Sequence, residues 1–290
     1  MNAQTGGSQH GSHRGAATWL ASGIAIEQLQ IHLLTDIRQL GNHPTDNQNL
    51  EIARRRDRLQ NQIARFEETA VTFLGSGYDI DDFIQVLGDS EDDYSDESNA
   101  SAPPSIARHM HVQPETASIP LPSNIGLNRC RGLGLADLLK QEITLREGQA
   151  NDALHAIRVN LADKAVIFRK TVRPAKSQAR STRAWSQVHA VERVVKLNAR
   201  IYSKCRTQLG KLGAEDILTK YRPLEKADLK ASTAVADPNA RGQRNSTLAW
   251  FWSLDVEGDS ASSDWMTECE SCLSVCGAGS FVTQFTEFIG

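Results

Sequence analysis

An all-α fold is what this sequence predicts, and three observations predict it. Apolar residues recur at three- and four-residue steps over four long stretches. No stretch alternates with the two-residue period of a half-buried strand, and the prolines fall in the intervals between the periodic runs. The predicted architecture is an N-terminal helix pair, a disordered acidic and Pro-rich linker, and a long antiparallel helical hairpin followed by short C-terminal helices.

Residues 1–18 are rich in Gly, Ser and His and read as a disordered tail. From Trp19 to Leu40 the stripe Ile26, Leu29, Leu33, Ile37 and Leu40 predicts the first helix, which Gly41 can close; Gly23 weakens its first turn. Pro44 breaks the chain, and Asp46 is the expected N-cap of a second helix over 46–74. There Ile52, Leu59, Phe66 and Phe73 stand seven apart, with Ile63 and Ala70 between them, and Gly75 and Gly77 end the run. Such a seam is a short coiled coil with a second copy, giving a homodimer, or a helix docked on its neighbour at 24–40.

Over 76–133 the pattern dissolves. Nine acids and no base fall between Asp79 and Glu97, and five of the nine prolines fall between Pro103 and Pro122. That composition is expected to remain a disordered linker. Within it Ser90, followed by Glu91, Asp92 and Asp93, matches what an acidophilic kinase modifies.

The hairpin domain is expected over 134–255. Its first arm carries the stripe Leu135, Leu138, Leu139, Ile143, Ala150, Ala153, Leu154, Ile157 and Leu161, continued by Ala165 and Phe168, with Gly148 as its weak point. Pro174 is expected to stop it, and Ser177 or Ser181 to cap the return arm, whose stripe is Trp185, Val188, Val191 or Val195, Tyr202, Cys205, Leu209 and Leu212. At about 35 residues each arm spans about 50 Å. A short helix near Glu215–Tyr221 ends before Pro223, and Leu248–Leu254 forms an aromatic turn that caps the hairpin core. Residues 256–290 read as an irregular tail.

Charge is segregated along the chain. Between Lys140 and Lys230 there are twenty Lys/Arg against nine Asp/Glu. From Lys164 to Val191 stand seven bases and no acid: Lys164, Arg169, Lys170, Arg173, Lys176, Arg180 and Arg183. Such a run is ordinarily a solvated face, but at a hairpin bend it can also neutralise phosphates without reading bases. Phe168 and Trp185 are expected in the core, which leaves no aromatic for single-strand stacking.

Other chemistry is sparse. Cys269, Cys272 and Cys276 would offer three thiolates to zinc, but no histidine follows to complete the set. Gly132-Leu-Gly134 is half a dinucleotide fingerprint and lacks the preceding strand. His155 and His189 lie on opposite arms, where a pairing across the hairpin is conceivable. Neither a nucleophile elbow nor a phosphate-binding loop is present. No secretory signal and no spanning apolar run is visible, and the odd cysteine count argues against a disulfide framework. The expectation is an intracellular protein of nucleus or cytoplasm, away from the membrane.

Two stretches of the hairpin, Leu145-Arg-Glu-Gly-Gln-Ala-Asn-Asp-Ala-Leu-His-Ala-Ile-Arg158 and Ala175-Lys-Ser-Gln-Ala-Arg-Ser-Thr-Arg-Ala-Trp185, are joined in this by Tyr221-Arg-Pro-Leu224. Together they resemble the C-terminal helical region of fungal KDZ (Kyakuja-Dileera-Zisupton) transposase-like proteins. Arg54-Arg-Arg-Asp-Arg-Leu-Gln-Asn-Gln-Ile63 and Ile119-Pro-Leu-Pro-Ser-Asn124 are similar as well, so the resemblance covers 46–75 and 119–268. The family's RNase-H-like core and its cysteine-rich N-terminal cluster have no counterpart here, and past Thr267-Glu268 the composition changes abruptly, as in an aberrant reading frame. The resemblance therefore implies a helical remnant with no catalytic residue, cofactor or metal to carry over, and not an enzyme. The expected partners are nucleic acid, bound weakly and without sequence preference, or alternatively a helical protein partner.

Overall fold

In the computed structural model the chain is described over residues 14–41, 43–75, 113–230 and 249–254. Every regular element among them is helical. The order is α1 (Ala16–Gln39), α2 (Asp46–Leu74), α3 (Pro122–Ile125), α4 (Leu127–Gly132), α5 (Ala136–Ile167), a π-helical turn Phe168–Val172, α6 (Gln178–Lys211) and α7 (Glu215–Lys220). These belong to one unit, and a 3-10 turn Trp250–Ser253 belongs to another that starts at Leu248. The aromatic turn expected to cap the hairpin core is thus part of a separate unit. Ser90, the acidic run, Cys269, Cys272, Cys276 and the C-terminal tail lie outside the described residues.

The two long arms run antiparallel. Phe168 meets Trp185, Lys164 meets Glu192, and the Arg146 carbonyl accepts from the Cys205 thiol. The partner's number thus rises as the first arm's falls. Leu154, Ile157 and Leu161 on α5 and Val188, Tyr202, Cys205 and Leu209 on α6 are buried, and Val195 takes the place left open between Val191 and Val195. Gly148 does not interrupt α5.

The α1–α2 pair closes through the expected seam. Leu59, Ile63, Phe66 and Ala70 are buried, with Ile52 and Phe73 packed at the margins of the same cluster. Trp19 of α1 stacks on both Phe66 and Phe73, with ring centroids 4.9 Å apart in each case. Of the two alternatives for this seam, the intramolecular docking on α1 is seen in this chain. Burial also accounts for Gly23: a Cβ there would lie 2.6 Å from Phe66 Cζ and 2.8 Å from Leu121 Cδ2.

Four expectations need correction. Helix α1 begins at Ala16, inside the expected tail, because Ala16 and Trp19 are buried. Thr45 rather than Asp46 caps α2: its hydroxyl accepts from the Gln48 N–H while the Gln48 amide oxygen accepts from the Thr45 N–H, a closed capping box. The linker expected to run to residue 133 is folded from residue 113 onward. Ile119 and Leu121 sit in the α1–α2 core, Gln30 Nε2 donates to the Pro114 and Ala117 carbonyls at 2.8 and 2.7 Å, and Arg56 grips the buried Glu115 carboxylate through two of its nitrogens. Proline content misleads here, because Pro122 sits at the start of α3, where a missing N–H costs nothing.

The fourth correction is that the helix pair and the hairpin form one body instead of two. Helix α1 packs against α2, α5 and α6 alike. Gln208 bonds Glu27 and Arg200 bonds Thr35, so α1 runs antiparallel to α6. At the centre of this contact Arg146 is fully buried, with one nitrogen 2.5 Å from Glu27 Oε2 and 3.1 Å from Glu142 Oε1. Glu142 in turn accepts from the Ser123 N–H at 2.9 Å and the Ser123 hydroxyl at 2.5 Å. Asn124 and Gln208 both donate to Glu27 Oε1 at 3.1 Å. Burial, with the nearby Glu27 adding to it, pushes the Glu142 carboxyl above its ordinary value although Arg146 and Ser123 oppose the shift. Arg146 is held in its charged form by the two carboxylates against the cost of burial.

Two tests follow from this packing. Arg146→Met leaves two carboxylates buried without a cation and is expected to cost about 3–5 kcal/mol of unfolding free energy; Glu142→Gln, which removes the excess negative charge, costs clearly less. Because the Glu142 carboxyl is raised in the folded state, its contribution to stability is present below the unfolded carboxyl value and lost as pH rises through the folded one. Urea unfolding of Glu142→Gln should therefore gain on the wild type as pH rises from the carboxylate range toward neutrality; a difference that shrinks instead would contradict the assignment.

The glycines give the second test. A methyl added at Gly148 would meet nothing within 4 Å, so Gly148→Ala should gain up to about 1 kcal/mol from helix propensity. The same change at Gly23 collides with Phe66 and Leu121 and should lose about 1–3 kcal/mol. Thermal or urea unfolding of the two variants compares them directly, and equal effects would show that α1 does not approach α2 so closely.

Candidate nucleic-acid interface

The bend of the hairpin is built by a proline that the helix almost ignores. Arg173, immediately before Pro174, keeps helical dihedrals of −61° and −43°, although that position disfavours them. The backbone adapts by widening: the Arg173 N–H reaches the Phe168 carbonyl five residues back at 3.0 Å, making the π turn Phe168–Val172. The expected stop at Pro174 is thus preceded by a loosened turn rather than a clean end. Ser177 then caps α6, its hydroxyl accepting from the Arg180 N–H at 3.4 Å, while Ser181 lies in the first turn of the helix proper.

Arg169, Lys170, Arg173, Lys176, Arg180 and Arg183 are all exposed. They stand on both sides of the bend, two on the π turn, two in the connection and two at the start of α6. Lys164, the seventh base of the run, is drawn out of the group by Glu192, 2.7 Å away. Burial works against the charge of Glu192, but the Lys164 ammonium and His189 outweigh it and hold the carboxyl below its usual range. For Arg169, Lys170, Lys176, Arg180 and Arg183 no carboxylate partner stands among the described residues. Helix α6 also has no acid in its first turn, so Arg180 and Arg183 face the positive end of its own dipole.

Two residues depart from their expected places. Trp185 is 42% exposed, because Ala184 and Val188 take the inward positions of that turn of α6. Its indole meets the half-buried Phe168 ring edge to face, with centroids 5.6 Å apart and planes at 87°. Beside it Gln178, Ser181, Thr182, Ser186 and His189 line an open depression on the surface of α6. The conceivable His155–His189 pair does not form. Both rings are exposed, and the register sets His189 between the levels of Lys164 and Phe168, at least nine residues or about 14 Å along α5 from His155.

The other reactive groups are structural. Cys130 and Cys205 are free and buried, and burial pushes their thiols up to about 11 and about 12, which keeps them protonated and unreactive. Tyr221 is buried and donates to Asn151 Oδ1 at 2.8 Å and Glu147 Oε1 at 3.2 Å, fastening the chain after α7 onto α5. Among the described residues no group of three or more His, Cys, Asp or Glu is placed to hold a metal ion. None of the described helices is long and apolar enough to cross a membrane. The chain matches no family model, and no curated protein or solved structure is recognisably similar.

Proposed function

We propose that this chain is a non-catalytic helical body that contacts nucleic-acid phosphates through the bend of its hairpin. One observation carries the reading: six exposed cations lie on the π turn, the connection and the first two turns of α6, and five of them meet no carboxylate among the described residues. A polyanion laid across such a run of cations is attracted to it and releases its own counterions. The α6 amino terminus adds to the same field. Supporting a non-catalytic role, the buried acids Glu27 and Glu142 are engaged with Arg146, Ser123, Asn124 and Gln208 inside the core, away from solvent.

Descent from a transposase-like element belongs to the same reading and is supported by sequence texture. Two of the resembling stretches, 145–158 and 221–224, touch through Tyr221, Glu147 and Asn151.

With about four phosphates neutralised on duplex DNA, log affinity is expected to fall with log salt with a slope of about −3.6. The double reversal Lys170→Glu, Lys176→Glu places acids at two exposed positions and is expected to cut that slope to half or less, with helicity unchanged. Equilibrium binding to a labelled duplex across a salt series measures both. No binding at low salt, or a slope indifferent to the reversal, would return the bend to a solvated face.

A further inference from the structure

We propose that the bend takes single-stranded nucleic acid, with one base stacked on Trp185. This rests on the reading of the bend as a phosphate-contacting surface and adds the class of strand it receives. Trp185 leaves 42% of its area exposed, with Phe168 and His189 as its ring neighbours. Its plane is set by the edge-to-face contact with Phe168, so a base meeting it loses little freedom of the ring. The depression beside it is lined by polar side chains. Thr182 and Ser186 donate their hydroxyl protons to the carbonyls of Gln178 and Arg183, which leaves their oxygens as acceptors for sugar or base amino groups. Arg169 follows Phe168, the ring that Trp185 meets, directly in the chain, whereas Arg183 and Arg180, two and five residues before Trp185, lie on the far side of α6 from it.

Charge decides the occupant. The hairpin end that holds this exposed ring also carries five cations without carboxylate partners among the described residues, and such an end is complementary to a polyanion carrying flat apolar faces. An unpaired strand offers such faces, whereas in a duplex they are stacked on each other and only phosphates remain to be met. The combination of a basic track and a stacking ring gives binding that tolerates sequence, because every base has a face to stack.

The test uses the full chain and three labelled probes of equal length: a single strand of mixed sequence, the same strand without bases, and the duplex. Fluorescence anisotropy at fixed salt gives the affinities. Trp185→Ala is expected to weaken binding of the single strand by about 5- to 100-fold, and to change the abasic strand and the duplex less than twofold. Trp185→Phe, which keeps an aromatic face, should lose less. Trp185→Leu keeps an apolar contact with Phe168 and should behave as alanine does, which separates stacking from any disturbance of the hairpin end. Equal losses on all three probes, or no loss on any, overturn the proposal while leaving phosphate contact at the bend intact. Absence of binding to all three by the wild type removes the phosphate reading, and this inference with it.

Discussion

One buried guanidinium holds the halves of this molecule together. Arg146 reaches from α5 to Glu27 on α1 and to Glu142 one turn back on its own helix, and Glu142 receives Ser123 from the start of α3. Gln208 of α6 and Asn124 of α3 close the shell around Glu27. Charges removed from water are costly, and an apolar replacement of the whole set would be no less stable in principle. What the set adds is register: a shift of α1 by one residue would turn Glu27 away and strand Arg146 between partners it cannot reach. The apolar contacts around it are tolerant of sliding, and this one is not.

With that lock in place the two ends of the hairpin differ in kind. At one end Tyr221 and Arg206 fasten the chain after α7 back onto the arms, through Asn151 and Glu147 and through the Tyr221 carbonyl. At the other the arms end in a widened turn whose cations face solvent. The arms are about 48 and 51 Å long at 32 and 34 residues, and the bend lies about 40 Å along them from Arg146.

Much of this is legible in the sequence, and the failures share a cause. Helix α2 has the bounds that periodicity predicts, the seam from Ile52 to Phe73 faces a partner helix, and Ser177 caps the return arm. All six bend cations are on the surface. Glu27, Glu142, Arg146 and Gln208 escape notice because pattern reading sends charged residues outward, and Glu142 and Arg146, four apart, look like an ordinary exposed pair. The signal is present: Glu142, Arg146 and Gln149 continue the stripe Leu138, Ala150 and Ala153, and Glu27 stands on the buried stripe of α1 between Leu20 and Gln30. Trp185 fails the other way. Its place in the heptad sits at the flank of the buried face, where a shift of one residue decides between core and solvent. In the segment after residue 113, position outweighs composition, since Ile119 and Leu121 are few but fully covered.

Native-state hydrogen exchange across a denaturant series tests the central claim most directly, since it resolves whether the helix pair and the hairpin open together. Amides around Glu27 on α1, around Leu154 on α5 and around Cys205 on α6 are predicted to share one opening free energy equal to that of global unfolding. Opening of α1 and α2 at clearly lower free energy, with α5 and α6 still protected, would contradict the account and make the Arg146 contact a docking of two independent units.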